Sequence, residues 1–292
     1  MEQYTFESYK EFSQETPFSF SRHTTIGCGG NASRAFYPKN VTQFTTLLSK
    51  LQKDEIPYCI LGNGSNVLPL DSDQEKVVIS TKGLTAMFLT ENGVFAYAGV
   101  TSAALLRFCQ MNLYSGVEFL QGIPCTMGGA LFMNAGVNGA YIADVVQNVL
   151  VYRDGKTRLL SKMECGYAYK KSVFMQNGDV IIGAALSLTR ADEAEIEEKE
   201  KVYAVRRAHL PKGKSMGCVF KNPEGAFAGE LIERSGLKGL KIGGARVSNQ
   251  HANFIINESG ATARDIESLI DIIKNAVFAQ YGVRLEEEIR RI

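Results

Sequence analysis

The segment from Gly122 to Gly139, with the sequence GIPCTMGGALFMNAGVNG, decides the fold more than any other part of the chain. Small residues are concentrated in it, and apolar side chains lie on both sides of them. Because glycine carries no Cβ, a backbone of this kind can approach a bulky partner very closely. That partner is either a bound molecule or a neighbouring strand at a tight crossing, and the segment alone leaves both interpretations open.

A second glycine-rich loop lies about sixty residues earlier in the chain. It is Leu61–Leu68, with the sequence LGNGSNVL, and it follows a predicted buried strand. Successive N–H groups in such a loop can form a nest for phosphate oxygens, although most loops of this composition are only turns. The loop lacks the Lys-Ser/Thr pair of a P-loop and the three-glycine spacing of a Rossmann turn. Together, the two loops favour one long dinucleotide that lies across both.

The pattern of apolar residues indicates an α+β fold outside these loops. Val41–Asp54 has helical spacing and is followed by a short apolar run, Tyr58–Leu61, that is typical of a buried strand. Further strands are predicted at Val77–Ser80, Val94–Tyr97 and Val149–Tyr152. Further helices are predicted at Ala103–Met111, at Ala191–Arg207 and across Ile266–Val277, the last with Thr262 as its N-cap.

Composition narrows the classes of function. Of 292 residues, 31 are acidic and 32 are basic, so nothing in the net charge of +1 favours nucleic acid or another highly charged partner. The N-terminus lacks the basic and apolar regions of a signal peptide, and no apolar run is long enough for a membrane span. The six cysteines form no CxxC pair, and the three histidines have no metal-ligand spacing. We therefore expect a reduced, cytoplasmic, metal-free protein whose partner is a small molecule.

Besides the two glycine-rich loops, six further motifs follow one another along nearly the whole chain. They are His23–Gly30 (HTTIGCGG), Tyr169–Phe174 (YKKSVF), Gly217–Pro223 (GCVFKNP), Gly229–Gly239 (GELIERSGLKG), His251–Asn257 (HANFIIN) and Leu285–Glu288 (LEEE). In this combination and order the sequence resembles the UDP-N-acetylenolpyruvoylglucosamine reductases. Because so many motifs occur in this order, coincidence is negligible and the resemblance to this family is very specific.

The resemblance implies a two-lobed FAD-binding domain of the vanillyl-alcohol-oxidase type plus a C-terminal α+β substrate domain. On this basis we place the lobes at residues 1–75 and 76–205 and the substrate domain at residues 206–292. The short link from Pro223 to Leu231 resembles the subgroup that lacks a long tyrosine-bearing loop. The implied reaction is reduction of UDP-N-acetylglucosamine enolpyruvate to UDP-N-acetylmuramate in peptidoglycan precursor synthesis. Non-covalent FAD is the implied cofactor and NADPH the co-substrate, while the protein supplies orientation, charge stabilisation and a proton.

Three residues are carried over from the family as catalytic. Cys218 stands where many members have a serine proton donor, and a thiol, with a reference pKa of about 8.5, is a much stronger acid than an alcohol. Glu288 matches a C-terminal glutamate that, when protonated, would hydrogen-bond the substrate carboxylate. Lys170 stands where the family usually has arginine, so it keeps the charge but loses the planar guanidinium fork. Lys171 is the alternative candidate for that role.

Each of these three residues also has a purely structural interpretation. A buried cysteine usually packs as a small hydrophobe, and Glu288 has acidic neighbours that are typical of a solvated tail. Lys170 and Lys171 resemble an exposed lysine pair. The match to the family motifs favours the catalytic interpretation in all three cases.

The binding residues implied by the resemblance form two sets. The cofactor set comes from the glycine-rich segments and comprises Gly62, Asn63, Gly64, Ser65, Asn66, Gly122, Ile123, Pro124, Cys125, Thr126, Gly128, Gly129, Asn134, Ala135 and Gly136. Cys125 stands where the family usually has glycine, so we expect the loop to follow a slightly different path around the cofactor. The substrate set comprises Tyr169, Ser172, Lys221, Asn222, Gln250 and Arg290. For exposed polar residues, a structural role is about as common as a binding role.

Two other functions stay open at the level of sequence. One is an FAD-dependent sugar or alcohol oxidase on the same scaffold, with His23 or Cys125 as the residue that would tether a covalent flavin. The other is a UDP-sugar-binding homologue whose turnover is weakened because Lys170 replaces arginine. For all three functions we expect a monomer that binds neither nucleic acid nor membranes.

Overall fold

The computed structural model describes residue 4 and residues 6–292, and it combines helices with many short strands. The α-helices are α1 (Phe20–His23), α2 (Val41–Lys53), α3 (Ser102–Met111), α4 (Met127–Met133), α5 (Ile142–Val145), α6 (Glu193–Ala208), α7 (Ala228–Arg234) and α8 (Ala263–Tyr281). The strands are β1 (Gln14–Glu15), β2 (Phe18–Ser19), β3 (Asn31–Ala32), β4 (Ala35–Phe36), β5 (Tyr58–Leu61), β6 (Val67–Leu68), β7 (Val77–Ser80), β8 (Met87–Thr90), β9 (Gly93–Tyr97), β10 (Tyr114–Ser115), β11 (Gly136–Val137), β12 (Ala140–Tyr141), β13 (Val146–Arg153), β14 (Lys156–Ser161), β15 (Val180–Ser187), β16 (Thr189–Arg190), β17 (Lys214–Cys218), β18 (Lys241–Ile242), β19 (Ala245–Val247), β20 (Phe254–Asn257) and β21 (Arg290–Arg291). The predicted α+β class is confirmed.

The chain forms two compact units, each assembled from several chain segments. Unit 1 comprises the described part of residues 4–16 together with Arg34–Asn63 and Lys76–Ala208. Unit 2 comprises Pro17–Ser33, Gly64–Glu75 and His209–Ile292. Our division of the chain into two cofactor lobes and one substrate domain stays a prediction.

Unit 1 contains two main sheets. The first has the order β1-β4-β7-β5, in which β4, β7 and β5 run parallel and α2 forms the connection from β4 to β5. The second is antiparallel, in the order β14-β13-β15-β9-β8. Asn40 caps α2 by accepting a hydrogen bond from the Gln43 N–H, and the helix buries the apolar side chains that its sequence spacing predicts.

Strand β15 separates the two hydrophobic cores of unit 1. Val180 and Ile182 pack into the core that contains α2, whereas Ala184 and Leu186 pack into the core that contains α3 and α4. A strand covered on both faces must be apolar at nearly every position. This requirement explains the unbroken run of apolar and small residues, VIIGAAL, at the start of this strand.

The main sheet of unit 2 has four strands, in the order β17-β20-β19-β18, and packs with α7 and α8. Thr262 caps α8, since its side chain accepts a hydrogen bond from the Asp265 N–H and the Asp265 carboxylate accepts one from the Thr262 N–H. The predicted N-cap is therefore confirmed. None of the helices among the described residues is long and apolar enough to cross a lipid bilayer.

The helices and strands predicted from periodicity are all present, several with longer bounds. The predicted burial of Tyr58–Leu61 is wrong, because β5 is the edge strand of its sheet and only Leu61 in it is buried. The main difference lies in the glycine-rich segment, where α4 forms within a stretch expected to be a loop. The Met127 N–H donates to Val100 O at 2.7 Å and the Gly128 N–H donates to Ala98 O at 2.9 Å. These tertiary hydrogen bonds offset the low helix propensity of two consecutive glycines.

Candidate functional site

The two glycine-rich segments contact each other within unit 1. Gly62 follows β5, and a Cβ added to it would lie only 2.2 Å from Thr126 Oγ1. Next to it, the Asn63 side chain donates to Pro124 O at 3.3 Å. This part of the first loop therefore lies against the second glycine-rich segment, and the predicted dinucleotide across both segments stays a prediction. At Gly62 the close approach that requires glycine is to a protein atom.

The glycines of α4 differ in what surrounds them. A Cβ on Gly128 would lie 3.0 Å from the Ala98 Cβ, so packing inside unit 1 requires a small residue there. Gly129 is exposed, and the nearest described atom to an added Cβ is Thr126 Oγ1 at 3.5 Å, an ordinary contact distance. Gly129 thus presents an open backbone face on the first turn of the helix. A flat, bulky group can approach that face closely.

The end of α4 is fixed by Asn134, which adopts a left-handed conformation with a φ of 46° and is 4% exposed. Its amide donates to Ala168 O at 2.8 Å and accepts from the Ala143 N–H at 3.2 Å. Asparagine tolerates this conformation better than most residues. The side chain of Asn134 therefore joins the end of the glycine-rich segment to the motif that carries Lys170.

Cys125 is a buried thiol. Burial raises its pKa to about 11, although a hydrogen bond with Ser102 acts in the opposite direction. Its N–H donates to Ile123 O at 2.9 Å, so the loop turns sharply just before α4. A thiol in this environment is a poor nucleophile.

The second half of the first loop belongs to unit 2. Gly64 has a φ of 62°, and an added Cβ would lie 2.7 Å from His23 O, so both conformation and space require glycine. The Asn66 side chain donates to Glu288 O at 3.1 Å, and the Arg290 N–H donates to Asn66 O at 2.9 Å. In unit 2 this half of the loop therefore holds the C-terminal tail, residues 285–292.

Cys218 and Glu288 lie on neighbouring segments of unit 2. Cys218 ends β17, where a bulge at Gly217, with a φ of 76°, brings it opposite Phe254. The next residue, Val219, accepts a hydrogen bond from the Glu288 N–H at 2.8 Å, and Phe220 is paired with Glu287 in an antiparallel bridge. Both Cys218 and Glu288 are half-buried. Two of the three predicted catalytic residues are thus brought together.

The acidic neighbours of Glu288 have clear structural partners. Although burial acts in the opposite direction, hydrogen bonds from Lys274 and Arg291 lower the pKa of Glu287. Glu286 pairs with Lys221 at 2.5 Å and is exposed. The solvated-tail interpretation therefore applies to Glu286, while Glu287 fastens the tail to α8 through Lys274.

Lys170 lies in unit 1, at the corner of a tight turn. The Ala168 N–H donates to Lys171 O and the Lys171 N–H donates to Ala168 O, both at 3.1 Å. Lys170 has a φ of 52°, and its ammonium group donates to Gly136 O at 3.5 Å. Lys171 is exposed, whereas Lys170 is half-buried. The geometry therefore ties Lys170, rather than Lys171, to the glycine-rich segment.

The residues predicted to bind substrate differ in their surroundings. Ser172 is 3% exposed and donates to Phe132 O at 2.6 Å, and the Asn222 carbonyl accepts from the Ala228 N–H at 3.0 Å. Tyr169 is 44% exposed. Gln250 and Arg290 are exposed in unit 2. Their roles in binding stay predictions.

Sequence reasoning assigned no role to several residues that build these sites. Thr25 donates to Ser215 O at 2.6 Å, and the buried Asn253 hydrogen-bonds both backbone groups of Phe220. Thr25 and Asn253 lie in two motifs, His23–Gly30 and His251–Asn257, that indicated the family but to which no site role was assigned. Arg207 lies beside the first residue of the glycine-rich segment, since its Nε would be 3.0 Å from a Cβ on Gly122.

A shallow depression of about 570 Å³ lies beside the C-terminal tail in unit 2. It is lined by Lys274, Arg284, Leu285, Glu286, Glu287, Ile289, Arg290 and Arg291. Cys218 and Glu288 are not among these residues, so the depression does not by itself define a reaction site. Within residue 4 and residues 6–292, no group of three or more His, Cys, Asp or Glu side chains is placed to hold a metal ion.

Comparison with known proteins gives a consistent result. The model of the UDP-N-acetylenolpyruvoylglucosamine reductase C-terminal domain matches residues 206–292, and that of an FAD binding domain matches residues 32–161. The chain is 39% identical over 290 residues to the UDP-N-acetylenolpyruvoylglucosamine reductase of Syntrophobacter fumaroxidans, covering 96% of this chain and 83% of that protein. It is 39% identical over 273 residues to that of Geobacter metallireducens, covering 92% and 91%.

A solved structure shows the same likeness. The crystal structure of the UDP-N-acetylenolpyruvylglucosamine reductase of Thermus caldophilus matches with a TM-score of 0.83 and 32% identity, covering 96% of this chain and 98% of that one. These matches confirm the predicted FAD-binding domain and the C-terminal domain of this family.

Proposed function

The chain belongs to the UDP-N-acetylenolpyruvoylglucosamine reductase family, and on this premise we propose that it reduces UDP-N-acetylglucosamine enolpyruvate to UDP-N-acetylmuramate. NADPH is the co-substrate and FAD the non-covalently bound cofactor. One geometric observation supports the proposal most directly. A thiol and a carboxyl group, Cys218 and Glu288, lie on paired segments, with the Glu288 N–H donating to the residue after Cys218 at 2.8 Å.

The residues of unit 1 fit a bound flavin nucleotide. Gly129 presents an open backbone face, and the two glycine-rich segments that carry the predicted cofactor residues contact each other at Asn63 and Pro124. The chemistry that FAD supplies when bound is hydride transfer from NADPH to the enolpyruvyl group. We propose that the glycine-rich segments hold it, with the cofactor set named above.

The chain's own residues supply a proton and stabilise charge. The Cys218 thiol donates the proton to the carbon of the enolpyruvyl group that gains negative charge, and general acid catalysis of this kind contributes about 10²–10⁴-fold to a rate. Protonated Glu288 donates a hydrogen bond to the substrate carboxylate as its charge increases. Lys170 contributes positive charge. Tyr169, Ser172, Lys221, Asn222, Gln250 and Arg290 are proposed to contact the UDP-sugar.

We place this reaction in the synthesis of peptidoglycan precursors in the cytoplasm. Through the cell wall, the activity would contribute to cell shape, cell division and the cell cycle. The proposed enzyme acts as a monomer on small-molecule substrates.

The deciding experiment follows NADPH absorbance with and without UDP-N-acetylglucosamine enolpyruvate. We expect oxidation of NADPH that depends on the sugar and gives a stoichiometric amount of UDP-N-acetylmuramate. Hydrogen peroxide release from a sugar alcohol without NADPH would identify an oxidase instead. A bound UDP-sugar without NADPH consumption would identify a binding protein that has lost turnover.

Replacement of Lys170 tests the departure from the usual arginine. We expect Lys170→Ala to lower kcat about 10²-fold, because loss of one preorganised charge contact to a developing anion typically has this effect. Lys170→Arg should retain or increase kcat, since it keeps the charge and supplies a planar guanidinium group that can form two parallel hydrogen bonds. Steady-state NADPH oxidation measures both variants, with the exposed Lys162→Ala as control. A full rate in Lys170→Ala and a loss in Lys171→Ala would transfer the role to Lys171.

Two glycine variants separate packing from cofactor binding. Gly62→Ala places a methyl group 2.2 Å from Thr126 Oγ1, so we expect the apoprotein to lose about 1–3 kcal/mol of unfolding free energy. Gly129→Ala brings no contact from outside the backbone of its own helix closer than 3.5 Å and raises helix propensity, so we expect equal or slightly higher apoprotein stability but weaker FAD binding. Urea unfolding of the apoprotein and titration with FAD measure the two effects. Equal FAD affinity in Gly129→Ala and the unaltered protein would remove Gly129 from the cofactor set.

A further inference from the structure

Asn253 is a buried polar residue in the turn before β20, and its side chain is 3% exposed. Its amide oxygen accepts from the Phe220 N–H at 2.9 Å, and its amide nitrogen donates to Phe220 O at 2.8 Å. The side chain therefore bonds both backbone groups of one residue, as a neighbouring strand would. Asparagine can do this because its amide carries a donor and an acceptor side by side.

The segment clamped by Asn253 is the one that follows Cys218. The Val219 N–H donates to the backbone oxygen of Asn253 at 2.8 Å, so Asn253 holds two consecutive residues after the thiol. Regular pairing of β17 with β20 is interrupted just before this point by the bulge at Gly217. The path of the chain after Cys218 is therefore fixed by the Asn253 side chain in addition to the backbone hydrogen bonds between β17 and β20.

The opposite side of the same segment carries the C-terminal tail. Val219 O accepts from the Glu288 N–H at 2.8 Å, and the Lys221 N–H donates to Glu286 O at 2.9 Å. Residues 219–221 thus lie between Asn253 on one side and residues 286–288 on the other. A shift of this segment would displace both Cys218, which directly precedes it, and Glu288, whose backbone is bonded to it.

We propose that Asn253 is the positioning residue that sets the geometry of Cys218 and Glu288 through its two hydrogen bonds to Phe220. It acts through these two residues and is assigned no direct contact with substrate. The inference rests on the proposed function, because that function gives Cys218 and Glu288 their chemical roles. A misplacement of about 1 Å in a reacting group can lower a rate 10²-fold.

The same strand offers a matched control. Asn257, at the other end of β20, is 7% exposed, and its side chain also makes backbone hydrogen bonds. It donates to Ile26 O at 2.9 Å and to Gly27 O at 3.1 Å, and it accepts from the Ala261 N–H at 2.8 Å. Asn253→Leu and Asn257→Leu each replace a buried amide side chain by an apolar side chain of similar size. Only Asn253→Leu removes bonds to the segment that follows Cys218.

The test compares the two variants in the FAD-loaded, full-length protein. For Asn253→Leu we expect kcat of sugar-dependent NADPH oxidation to fall about 10²-fold, with a smaller change in KM and a larger solvent deuterium isotope effect. The reduction of bound flavin by NADPH without the sugar should be unchanged, because it does not use the Cys218 proton. Asn257→Leu should lower the thermal midpoint but leave kcat and the isotope effect unchanged.

A second readout is independent of catalysis. The alkylation rate of Cys218 by iodoacetamide, followed by peptide mass spectrometry, should change in Asn253→Leu and not in Asn257→Leu. If Asn253→Leu does not fold, Asn253→Asp, which keeps the acceptor for the Phe220 N–H, takes its place. Equal behaviour of the two positions in both kcat and alkylation would overturn the inference. Absence of sugar-dependent oxidation in the unaltered protein would instead overturn the proposed function, and the alkylation rates would still decide the role of Asn253.

Discussion

Replacement of Cys218 by alanine should give the largest kinetic effect in this protein, a fall of about 10²–10⁴-fold in kcat for sugar-dependent NADPH oxidation. Alanine has no proton to donate, and Cys218 is half-buried at the end of β17, next to the segment paired with Glu288. Cys218→Ser should retain part of the rate, because a serine hydroxyl can donate a proton but is a weaker acid. Rapid-mixing measurements should show that NADPH still reduces the flavin at its normal rate in both variants.

Cys28→Ala is the matched control for the loss of a thiol. Cys28 lies in the core of unit 2 and is 4% exposed, and its pKa is raised to about 12 by burial and then by Asp71 and Asp265. Such a thiol packs as a small hydrophobe, so its replacement should lower stability and leave kcat unchanged. An unchanged kcat in Cys218→Ala would contradict the assignment of the proton donor.

Glu288→Ala should have the second largest effect, about a 10²–10³-fold fall in kcat, which is typical for the loss of one donor to a developing anion. The tail should stay in place, because two backbone hydrogen bonds of Glu288 are kept in this variant. Its N–H donates to Val219 O at 2.8 Å, and its carbonyl oxygen accepts from Asn66 at 3.1 Å. Steady-state kinetics and a thermal melt together separate the catalytic effect from a structural one.

Glu288→Gln shows which property of the carboxyl group is used. Glutamine keeps a neutral hydrogen-bond donor, so a rate well above that of Glu288→Ala would support donation to the substrate carboxylate. Glu258→Ala serves as the control in the same unit, because Glu258 makes a surface ion pair with Lys241 at 2.7 Å. A kcat in Glu288→Ala equal to that of this control would remove Glu288 from the catalytic residues.

Much of the fold could be predicted from local sequence. The helix at Val41–Lys53 has a regular apolar face and is followed by a short apolar strand, and both signals depend only on residues close in the chain. The helix at Met127–Met133 could not be predicted this way. Its first N–H groups are satisfied by Ala98 and Val100, which lie nearly thirty residues earlier, so local propensity pointed to a loop.

The candidate site was predictable in part. The motifs marked Cys218, Glu288 and Lys170, but no local pattern shows that Cys218 and Glu288 lie on paired segments, since they are seventy residues apart in sequence. Apart from the family motif, the acidic run itself could not distinguish Glu287 from Glu288. The structure does so, because Lys274 and Arg291 hydrogen-bond Glu287 and hold it against α8.

By itself, the sequence determined the α+β class, most helices and strands, and the family, because periodicity, caps and ordered motifs are local properties of the chain. The tertiary structure alone decided how the segment Gly122–Gly139 is used. Gly128 packs against Ala98 and Gly62 against Thr126, while Gly129 keeps an open face. The physical reason is that a glycine's role depends on which atoms surround it. Those atoms come from distant parts of the chain that only folding brings together.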